Sequence, residues 1–518
     1  MPSDNQKYYL DIGRASDLKN RKDYLIYRLL EILPGALVWL TLLGMVFSSI
    51  FFPRGAAYFI IVFSAFWIFR AFHFSVHLVS AYLKMKKNLK TGWIEKLDKL
   101  KEKKPEKVWE DIYHLVIFPT YKESLEVVRD SFRALISSRY PKEKIIVVLA
   151  TEQRAGAAAE QIARVVAKEF ENKFYKLLVT CHPKDLPGEI AGKGSNVTFA
   201  AKEVKEKIID HLKIPYEKII VSCFDVDTKV FPDYFGCLTY YYLISSRPAQ
   251  ASFQPITLYS NNLWEAKFFS RLVASLTVFW EMMQQQRPEK LTTFSSHSMG
   301  FKALVEIDFW QTNVVCEDSG IFWKSFLFYD GNYKIVPLHY PVSMDCVAGK
   351  NLKETIISLY KQQRRWASGS EGIPYLLFGF WKNKKIPFKK KFRYAFLTIE
   401  GFWSWGTTAL LLLFLGRLPG FLGGEQFKNT VLAYNLSDIV GNLLTFAMVG
   451  LIVCIIISTL LLTPRPQNYS RLRSLSMVGQ WFAFPVAFIF FGAFPAIEAQ
   501  TRLMLAKYLG FYVVEKIR

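Results

Sequence analysis

The sequence lacks closely spaced cysteines. Its six cysteines are scattered along 518 residues, and no two of them form a C-x-x-C pair. Disulfide frameworks and zinc sites both need cysteines at short, regular spacings. The sequence therefore predicts neither a disulfide framework nor a zinc site, and this cysteine usage suits a reducing cytosol.

Acidic residues are in short supply. There are 44 Asp and Glu residues against 66 Lys and Arg residues, which gives a formal net charge of +22, and 51% of all residues are hydrophobic. A basic surplus combined with long apolar segments is typical of an integral membrane protein with cationic cytoplasmic flanks. We therefore expect membrane lipids as partners of this charge, and no nucleic acid.

A cleavable signal peptide is also missing, because the first apolar segment comes late and is too long for one. We expect residues 1–33 to form a cytoplasmic N-terminal segment, residues 34–83 a two-helix transmembrane hairpin, and residues 84–111 a basic linker. Lysines on both outer flanks of the hairpin place these flanks in the cytoplasm by the positive-inside rule.

Three more apolar segments predict membrane spans nearer the C-terminus, at 394–415, 439–462 and 478–497. Five spans in total would leave the C-terminus outside, whereas basic residues of the tail, among them Lys516 and Arg518, favour the inside. The sequence leaves this conflict open. Residues 373–380 are a candidate for a re-entrant or interfacial piece.

The region between the membrane segments alternates strand-like and helical patterns. Short apolar runs predict strands at 112–120, 144–151, 175–181, 218–227 and 251–258, and helical patterns lie between them. This alternation predicts an α/β fold with a mostly parallel sheet and helices on both faces. Ligands of such folds bind at the carboxyl ends of the strands.

Two aspartates follow the apolar run 219–224. Side chains alternate in extended chain, so the carboxylates of Asp225 and Asp227 are expected on one side, with Val226 on the other. One or two carboxylates shared with substrate phosphates are a common way to hold Mg²⁺ or Mn²⁺. An Asp-rich turn after a strand is the alternative, since short motifs often match by accident.

Four further motifs accompany this D-x-D: P-T-Y-x-E at 119–123, G-K-G-x-N at 192–196, E-D at 317–318 and Q-x-x-R-W at 362–366. The Gly-rich loop places Lys193 at a predicted helix start, where backbone N–H groups favour phosphate, although such loops are more often plain turns. The Q-x-x-R-W run also fits a basic amphipathic helix on the membrane.

In this order, with membrane segments on both sides, the motifs resemble the membrane-bound family 2 glycosyltransferases, in particular the cellulose, chitin and hyaluronan synthase-like group. The resemblance covers about residues 112–369. It implies a GT-A-type nucleotide-sugar-binding domain inserted between transmembrane α-helices. It also implies an inverting transfer of a hexosyl unit from a nucleotide-sugar to a growing polysaccharide.

The resemblance also divides the chain. Residues 112–350 would be the cytoplasmic glycosyltransferase domain, residues 351–393 interfacial amphipathic helices that carry Q-x-x-R-W, and residues 394–518 the C-terminal transmembrane helices and tail. The protein would be a multi-pass protein of the inner or plasma membrane.

Roles for single residues follow from the same resemblance. Asp318 would be the catalytic base with Glu317 beside it, and the two aspartates of D-x-D would bind Mg²⁺ or Mn²⁺. The donor would contact the following residues: Thr120, Tyr121, Glu123, Glu152, Lys193, Asn196, Asp225, Gln362, Arg365 and Trp366. Ser296 and His297 would contact a glycan or lipid acceptor, although a lone loop histidine is more often solvated.

Several alternatives stay open. Relatives commonly carry an aspartate pair where this chain has Glu152 nearby, so a UDP- and a GDP-linked donor both fit. Transfer of one sugar to a lipid, such as a polyprenyl phosphate or a glycerolipid, is a second function. A catalytically inactive membrane scaffold or transporter is a third, and the intact charged motifs speak against it. The motifs identify no export partner.

Overall fold

The computed structural model describes residues 7–467 and 469–511, which form a sheet-containing domain and a set of long helices. Residues 1–6 of the expected N-terminal segment lie outside the described residues. So do Lys516 and Arg518, which supported an inside C-terminus.

The helices and strands are numbered in chain order. The helices are α1 (Arg21–Phe51), α2 (Pro53–Leu89), α3 (Trp93–Lys103), α4 (Leu125–Ile136), α5 (Ala157–Phe170), α6 (Lys193–Val204), α7 (Tyr234–Ile244), α8 (Phe268–Gln285), α9 (Phe301–Glu306), α10 (Glu317–Phe328), α11 (Leu352–Ala367), α12 (Gly372–Lys382), α13 (Phe388–Leu413), α14 (Leu418–Leu422), α15 (Glu425–Lys428), α16 (Val431–Leu460), α17 (Arg471–Gly479), α18 (Phe484–Phe488) and α19 (Phe494–Met504). The strands are β1 (Tyr113–Pro119), β2 (Ile145–Glu152), β3 (Lys176–His182), β4 (Ile219–Cys223), β5 (Lys229–Val230), β6 (Ala251–Leu258), β7 (Ser298–Gly300) and β8 (Lys334–Ser343).

The eight strands form one sheet in the order β3-β2-β1-β4-β7-β6-β8-β5. The first four strands in this order pair in parallel, β7 is antiparallel to both of its neighbours, and β6 and β8 are parallel again. The predicted GT-A-type fold, a mostly parallel sheet with helices on both faces, is therefore confirmed. All five predicted strands are present.

Both faces of the sheet are covered, as near-continuous apolar strands require. Leu115 of β1 packs with Val197 of α6 on one face, whereas its neighbour Val116 packs with Phe132 of α4 on the other. These four side chains are fully buried, and burial of each stabilises the fold by roughly 1.5–3 kcal/mol. The two layers hold the carboxyl ends of β1, β2 and β4 at one edge, where the predicted motifs lie.

In the part of the chain that the structure describes, five segments are long and apolar enough to cross a membrane: Arg21–Phe51, Pro53–Leu89, Phe388–Leu413, Val431–Leu460 and Leu472–Met504. The first begins inside the segment 1–33 that was expected to precede the membrane. The side chain of Asn20 accepts hydrogen bonds from the backbone N–H groups of Lys22 and Asp23, and this N-cap starts the helix early. The expected linker 84–111 contains α3, whose buried Trp93 and Leu97 anchor it.

An ion pair joins two of the long helices. Arg70 of α2 pairs with Glu400 of α13, and both residues lie within segments that could cross a membrane. Charged groups in a membrane are costly unless they are paired or hydrated. The pair therefore accounts for two charges in these helices, and His73 and His77 stack on each other nearby on α2.

The last of the five segments is broken, and both of its ends lie at the sheet-containing domain. Near its start Gln480 accepts a hydrogen bond of 2.9 Å from Arg271 of α8, and near its end Glu498 pairs with Arg364 of α11 at 2.6 Å. Between these points Ala493 packs with Ala409, near the C-terminal end of α13. We infer from these contacts that the segment enters between the long helices and returns to the side from which it started.

A re-entrant path would resolve the conflict between five spans and a basic C-terminus. We expect four crossings, with both described ends of the chain on the side of the sheet-containing domain. The segment 373–380, which was the candidate re-entrant piece, instead lies in α12, where Leu376 and Phe378 pack in the core of that domain.

Thiol labelling tests the path. Cys181 is exposed in the sheet-containing domain, Lys507 is exposed after the re-entrant segment, and Gly424 is exposed in the turn next to Pro53. We expect Lys507→Cys to react with an impermeant thiol reagent from the same side as Cys181, and Gly424→Cys from the opposite side. Labelling of Lys507→Cys together with Gly424→Cys would mean that the last segment crosses.

Candidate functional site

Residues from three of the predicted motifs meet at the ammonium group of Lys193. Its Nζ lies 2.8 Å from Asp225 Oδ1, 2.9 Å from Asp318 Oδ1 and 3.4 Å from Glu317 Oε1. Burial lowers the pKa of Lys193, but the charges of Asp225 and Asp318 outweigh burial and raise the pKa well above its usual value. The lysine, expected to bind the donor, is therefore a permanent cation that links D-x-D to E-D.

A close approach of two helices brings Lys193 to this position. A Cβ on Gly194 would lie 2.7 Å from the carbonyl oxygen of Gln311 and 3.2 Å from Cβ of Glu317. Only glycine allows the start of α6 to come this near to the start of α10. The second glycine of G-K-G-x-N thus has a packing function, which explains why this loop is more than a plain turn.

The two aspartates of D-x-D have different surroundings. The strand β4 ends at Cys223, and the N–H of Thr228 donates to the carbonyl of Asp225 at 2.8 Å, so the motif lies in a turn. Asp225 is 29% exposed, whereas Asp227 is fully buried and accepts a hydrogen bond of 2.8 Å from the backbone N–H of Asp345. The expectation that strand alternation aligns them was wrong, because Asp and Thr favour turns after a strand.

The site fits a divalent cation that substrate oxygens help to hold. Three carboxylates, those of Asp225, Glu317 and Asp318, surround one ammonium group, and this excess of negative charge attracts a cation. In residues 7–467 and 469–511 no group of three or more His, Cys, Asp or Glu side chains is placed to hold a metal ion. Mg²⁺ commonly completes its shell with substrate phosphates in such sites.

The neighbouring carboxylates of E-D differ in access. Glu317 is 2% exposed, and burial, helped by the charge of Asp318, raises its pKa to about 7. Asp318 is 23% exposed, and its backbone carbonyl accepts a hydrogen bond of 2.5 Å from Thr293. A base must reach the hydroxyl that it deprotonates, so the geometry favours Asp318 over Glu317.

His297 is enclosed beside Asp318 and is not the solvated loop residue that was the alternative. Its side chain is fully buried, its Nδ1 lies 3.1 Å from the Phe294 carbonyl, and the same atom is 3.7 Å from Asp318 Oδ1. Burial lowers its pKa, so the ring is neutral at pH 7. Its Nε2 has no hydrogen-bond partner among the described residues.

Ser296, next to His297, makes no hydrogen bond to the acidic cluster, by which we mean Asp225, Glu317 and Asp318 around Lys193. The neighbouring Ser295 does make one. Ser296 has a φ of 63°, and its hydroxyl lies 3.0 Å from that of Thr228. Ser295 donates to Asp225 Oδ2 at 2.9 Å. Sequence reasoning missed Ser295, because the backbone turn that selects it leaves no sequence pattern.

The loop after β1 is held by a carboxylate of its own motif. The hydroxyl of Thr120 and the N–H of Tyr121 donate to Glu123 at 2.9 and 2.7 Å. The guanidinium of Arg154 lies 4.6 Å from the ring centre of Tyr121 and pairs with Glu152. The predicted residues of the first two strand ends are therefore adjacent, and Arg154 joins them as a residue that the motifs did not indicate.

Asn196 fastens these strand ends together. The carbonyl of Ala150 accepts 2.8 Å hydrogen bonds from the Asn196 side chain and from the backbone N–H of Thr120. Asn196 thus positions the loop that was expected to bind the donor.

The Q-x-x-R-W motif lies on α11 and contacts the E-D segment. Gln362 is buried and Trp366 is half-buried, while the carbonyl of Arg365 accepts a hydrogen bond of 3.3 Å from Cys316. The Arg365 guanidinium lies 4.9 Å from the ring centre of Phe511. The end of the described chain therefore reaches the site, which no motif predicted.

Comparison with known proteins agrees with the motifs. No protein-family model matches this chain. A curated relative, the poly-beta-1,6-N-acetyl-D-glucosamine synthase of Staphylococcus epidermidis, is 25% identical over 276 residues, which are 51% of this chain and 57% of the relative. The chain thus spans little more than half the length of this relative, to which it is similar. A second Staphylococcus epidermidis protein of the same name is 25% identical over 279 residues, again 57% of its length.

Solved glycosyltransferase structures show weaker similarity. The mannosyltransferase PcManGT from Pyrobaculum calidifontis, in complex with GDP-Man and Mn²⁺, is 14% identical with a TM-score of 0.41, covering 77% of this chain and 98% of that one. S. aureus TarS 1-349 with UDP-GlcNAc is 12% identical with a TM-score of 0.31, covering 65% and 90%.

The close approach at Gly194 gives a testable prediction. In Gly194→Ala the new Cβ must push α6 away from the Gln311 carbonyl, and Lys193 moves with it. Displacements near 1 Å in such sites cost roughly 10²-fold in rate, so we expect glycosyl transfer to fall by about that factor in a folded protein. Gly424→Ala is the control, because its Cβ would enter open space. Equal rates for both variants would show that Lys193 does not depend on this approach.

Proposed function

We propose that the protein transfers hexosyl units from a nucleotide-sugar to a growing polysaccharide, in an inverting reaction at the cytoplasmic face of the cell membrane. The observation that carries the proposal is the cluster at Lys193, which joins carboxylates of D-x-D and E-D within 3.4 Å of one ammonium group. The relatives named as polysaccharide synthases support a polymeric product.

The chemistry assigned to each residue follows from charge and access. Asp318 accepts the proton of the acceptor hydroxyl, because it is the accessible carboxylate of its pair. Lys193 keeps this base at a fixed distance from Asp225 on the donor side, which favours an in-line displacement. Mg²⁺ or Mn²⁺, held by Asp225 and Asp227 when bound, would supply positive charge against the leaving diphosphate.

The donor would lie over the ends of β1 and β2. Tyr121 and Arg154 offer an aromatic ring and a guanidinium plane for a nucleotide base, UDP- or GDP-linked, with Thr120, Glu123 and Glu152 around them. Arg365 would clamp the diphosphate, since charge-assisted hydrogen bonds to phosphate are strong. Gln362 and Trp366 border the same space from α11.

The acceptor side is the second half of the proposal. His297 is fully buried beside Asp318, so we assign to His297 and Ser296 the support of the loop on the acceptor side rather than a hydrogen bond to an acceptor hydroxyl. A second candidate function, transfer of a single sugar to a lipid, is favoured by the last apolar segment, which contacts α8 through Gln480 and α11 through Glu498. Charged groups kept at costly buried positions in the cluster argue against an inactive scaffold.

A pair of variants separates binding from chemistry. Asp318→Asn keeps the shape of the side chain and removes the base, so transfer should fall by roughly 10²- to 10⁴-fold while donor affinity persists. Arg365→Ala should weaken donor binding itself, because a phosphate contact is lost from the ground state. The measurement is a nucleotide-sugar binding isotherm beside a transfer assay for each protein.

The exposed Asp308 provides the control for this pair, since Asp308→Asn removes a carboxylate that is 78% exposed and pairs with Lys202 instead of Lys193. Near-wild-type transfer by Asp318→Asn would place the base elsewhere, with His297 the next candidate. Unchanged donor affinity in Arg365→Ala would exclude the clamp.

Metal removal tests the expected cofactor. An excess of chelator should abolish transfer, and Mg²⁺ or Mn²⁺ should restore it, because the diphosphate and the carboxylates repel each other without a cation. Asp225→Asn should raise the metal concentration needed for half-maximal rate. Full activity in chelator would remove the metal from the mechanism.

A further inference from the structure

A small cavity lies beside the candidate site, between α8, the end of α16 and the start of the re-entrant segment. Its volume is about 50 Å³. Since one water occupies roughly 10–15 Å³ on this measure, the cavity accommodates a group of about the size of a phosphate. Most of its lining is apolar: Leu263, Val278, Phe279, Leu461, Leu462 and Met477. Arg271 and Gln480 form its polar end.

Arg271 is a buried cation without a counter-ion. It is 3% exposed, its Nε donates to Gln480 at 2.9 Å, and its Nη1 donates to the carbonyl of Ala266 at 2.6 Å. Within residues 7–467 and 469–511 no carboxylate forms an ion pair with it. Burial and the nearby charge of Arg473 lower its pKa to about 10, so it stays charged at neutral pH.

This arrangement points to an anion. A guanidinium has five N–H donors, and the two contacts of Arg271 leave donors for a ligand in the cavity. A buried charge is costly unless it is paired, and the neighbouring Arg473 adds to the cost. An anion in the cavity would relieve both effects.

The position of the cavity indicates where the anion comes from. Ser458 and Thr459, at the end of the candidate membrane helix α16, line it, so it lies at the depth of lipid headgroups. The helix α8 also exposes Phe268 and Trp280, as expected for a helix that lies on a membrane surface.

The cavity also adjoins the acidic cluster. Tyr259 and Ser260 line it, and the next residue, Asn261, donates to the carbonyl of Asp227 at 2.9 Å. A ligand in the cavity would therefore lie near Asp227, one of the two aspartates that are proposed to hold the metal.

We propose that this cavity binds the phosphate group of a membrane lipid, with Arg271 as the anion-binding residue and the apolar walls around the first part of the lipid chain. A phospholipid phosphodiester and a polyprenyl phosphomonoester share this chemistry. The site goes beyond the proposed transfer reaction, because it assigns a lipid partner to residues that the sugar chemistry does not use.

Binding to the purified full-length chain in an uncharged detergent tests the proposal. The probes are phosphatidylglycerol, a polyprenyl monophosphate, inorganic phosphate and, as a lipid without phosphate, diacylglycerol. Each is titrated while the midpoint of thermal unfolding is recorded. We expect at least one of the phosphate-bearing lipids to raise the midpoint of the wild type, and diacylglycerol to leave it unchanged.

Three variants make the test specific. Arg271→Gln should lower the affinity for the phosphate-bearing lipid by about tenfold or more, since charge-assisted hydrogen bonds are lost. Ser275→Leu keeps the charge but fills the cavity, and it should weaken binding as well. Lys267→Gln removes an exposed charge from the N-terminal end of the same helix and should change nothing.

The outcomes show which lipid supplies the phosphate group, or they overturn the proposal. Arg271-dependent binding of either lipid supports it, and the lipid that binds more tightly identifies the source. Binding of neither lipid, of inorganic phosphate alone, or of lipid equally well to Arg271→Gln and wild type overturns it. If Arg271→Gln does not fold, wild-type affinity in Ser275→Leu overturns it. No sugar donor is present, so a negative result leaves the transferase proposal untouched.

Discussion

The ammonium group of Lys193 allows carboxylates from two separate motifs to share one point in space. Asp225, Glu317 and Asp318 would otherwise repel each other at these distances. The position of the lysine depends in turn on Gly194, which lets α6 approach α10, and on the sheet, which holds the ends of β1, β2 and β4 at one edge. Attraction to Lys193 thus holds the three carboxylates together, and the packing of α6 against α10 fixes their positions. The remaining negative charge can attract a cation.

Much of the fold could be predicted because its strands are buried on both faces. The strands β1, β2 and β4 are nearly continuous apolar runs that are buried along almost their whole length, and burial on both sides leaves no polar alternation. The strands β5 and β7 are too short to carry a pattern, and two prolines interrupt β8, which marks a sequence as a poor strand candidate. The motif order also predicted which residues meet, because strand ends of a parallel sheet lie at one edge.

Contacts made by backbone turns and by distant segments could not be predicted. Ser295 contacts Asp225 because Ser296 adopts a positive φ. A serine gives no indication in the sequence that the backbone turns in this way. Phe511 reaches Arg365 because the re-entrant segment returns the chain to the domain. Hydropathy alone describes that segment as a crossing, since it measures composition and not the contacts of Gln480 and Glu498 at its two ends.

The membrane part and the site form one connected structure. Arg364 and Arg365 are adjacent on α11 but have different partners. Arg364 pairs with Glu498 of the last apolar segment, whereas the Arg365 guanidinium lies over the ring of Phe511. Arg271 of α8 contacts the same segment through Gln480. The sheet-containing domain is therefore joined to the last apolar segment at two points, through α11 and through α8.

The most direct measurement compares sugar transfer by the wild type with transfer by a variant that lacks the ammonium group of Lys193. Purified wild type and Lys193→Met, a variant of similar length without the charge, would be incubated with Mn²⁺ and a panel of labelled UDP- and GDP-sugars, and the products would be sized. The account predicts that the wild type incorporates at least one sugar into glycan or glycolipid, and that Lys193→Met, though folded, incorporates none. A folded wild type that consumes no donor, or a Lys193→Met protein that transfers at the wild-type rate, would contradict it.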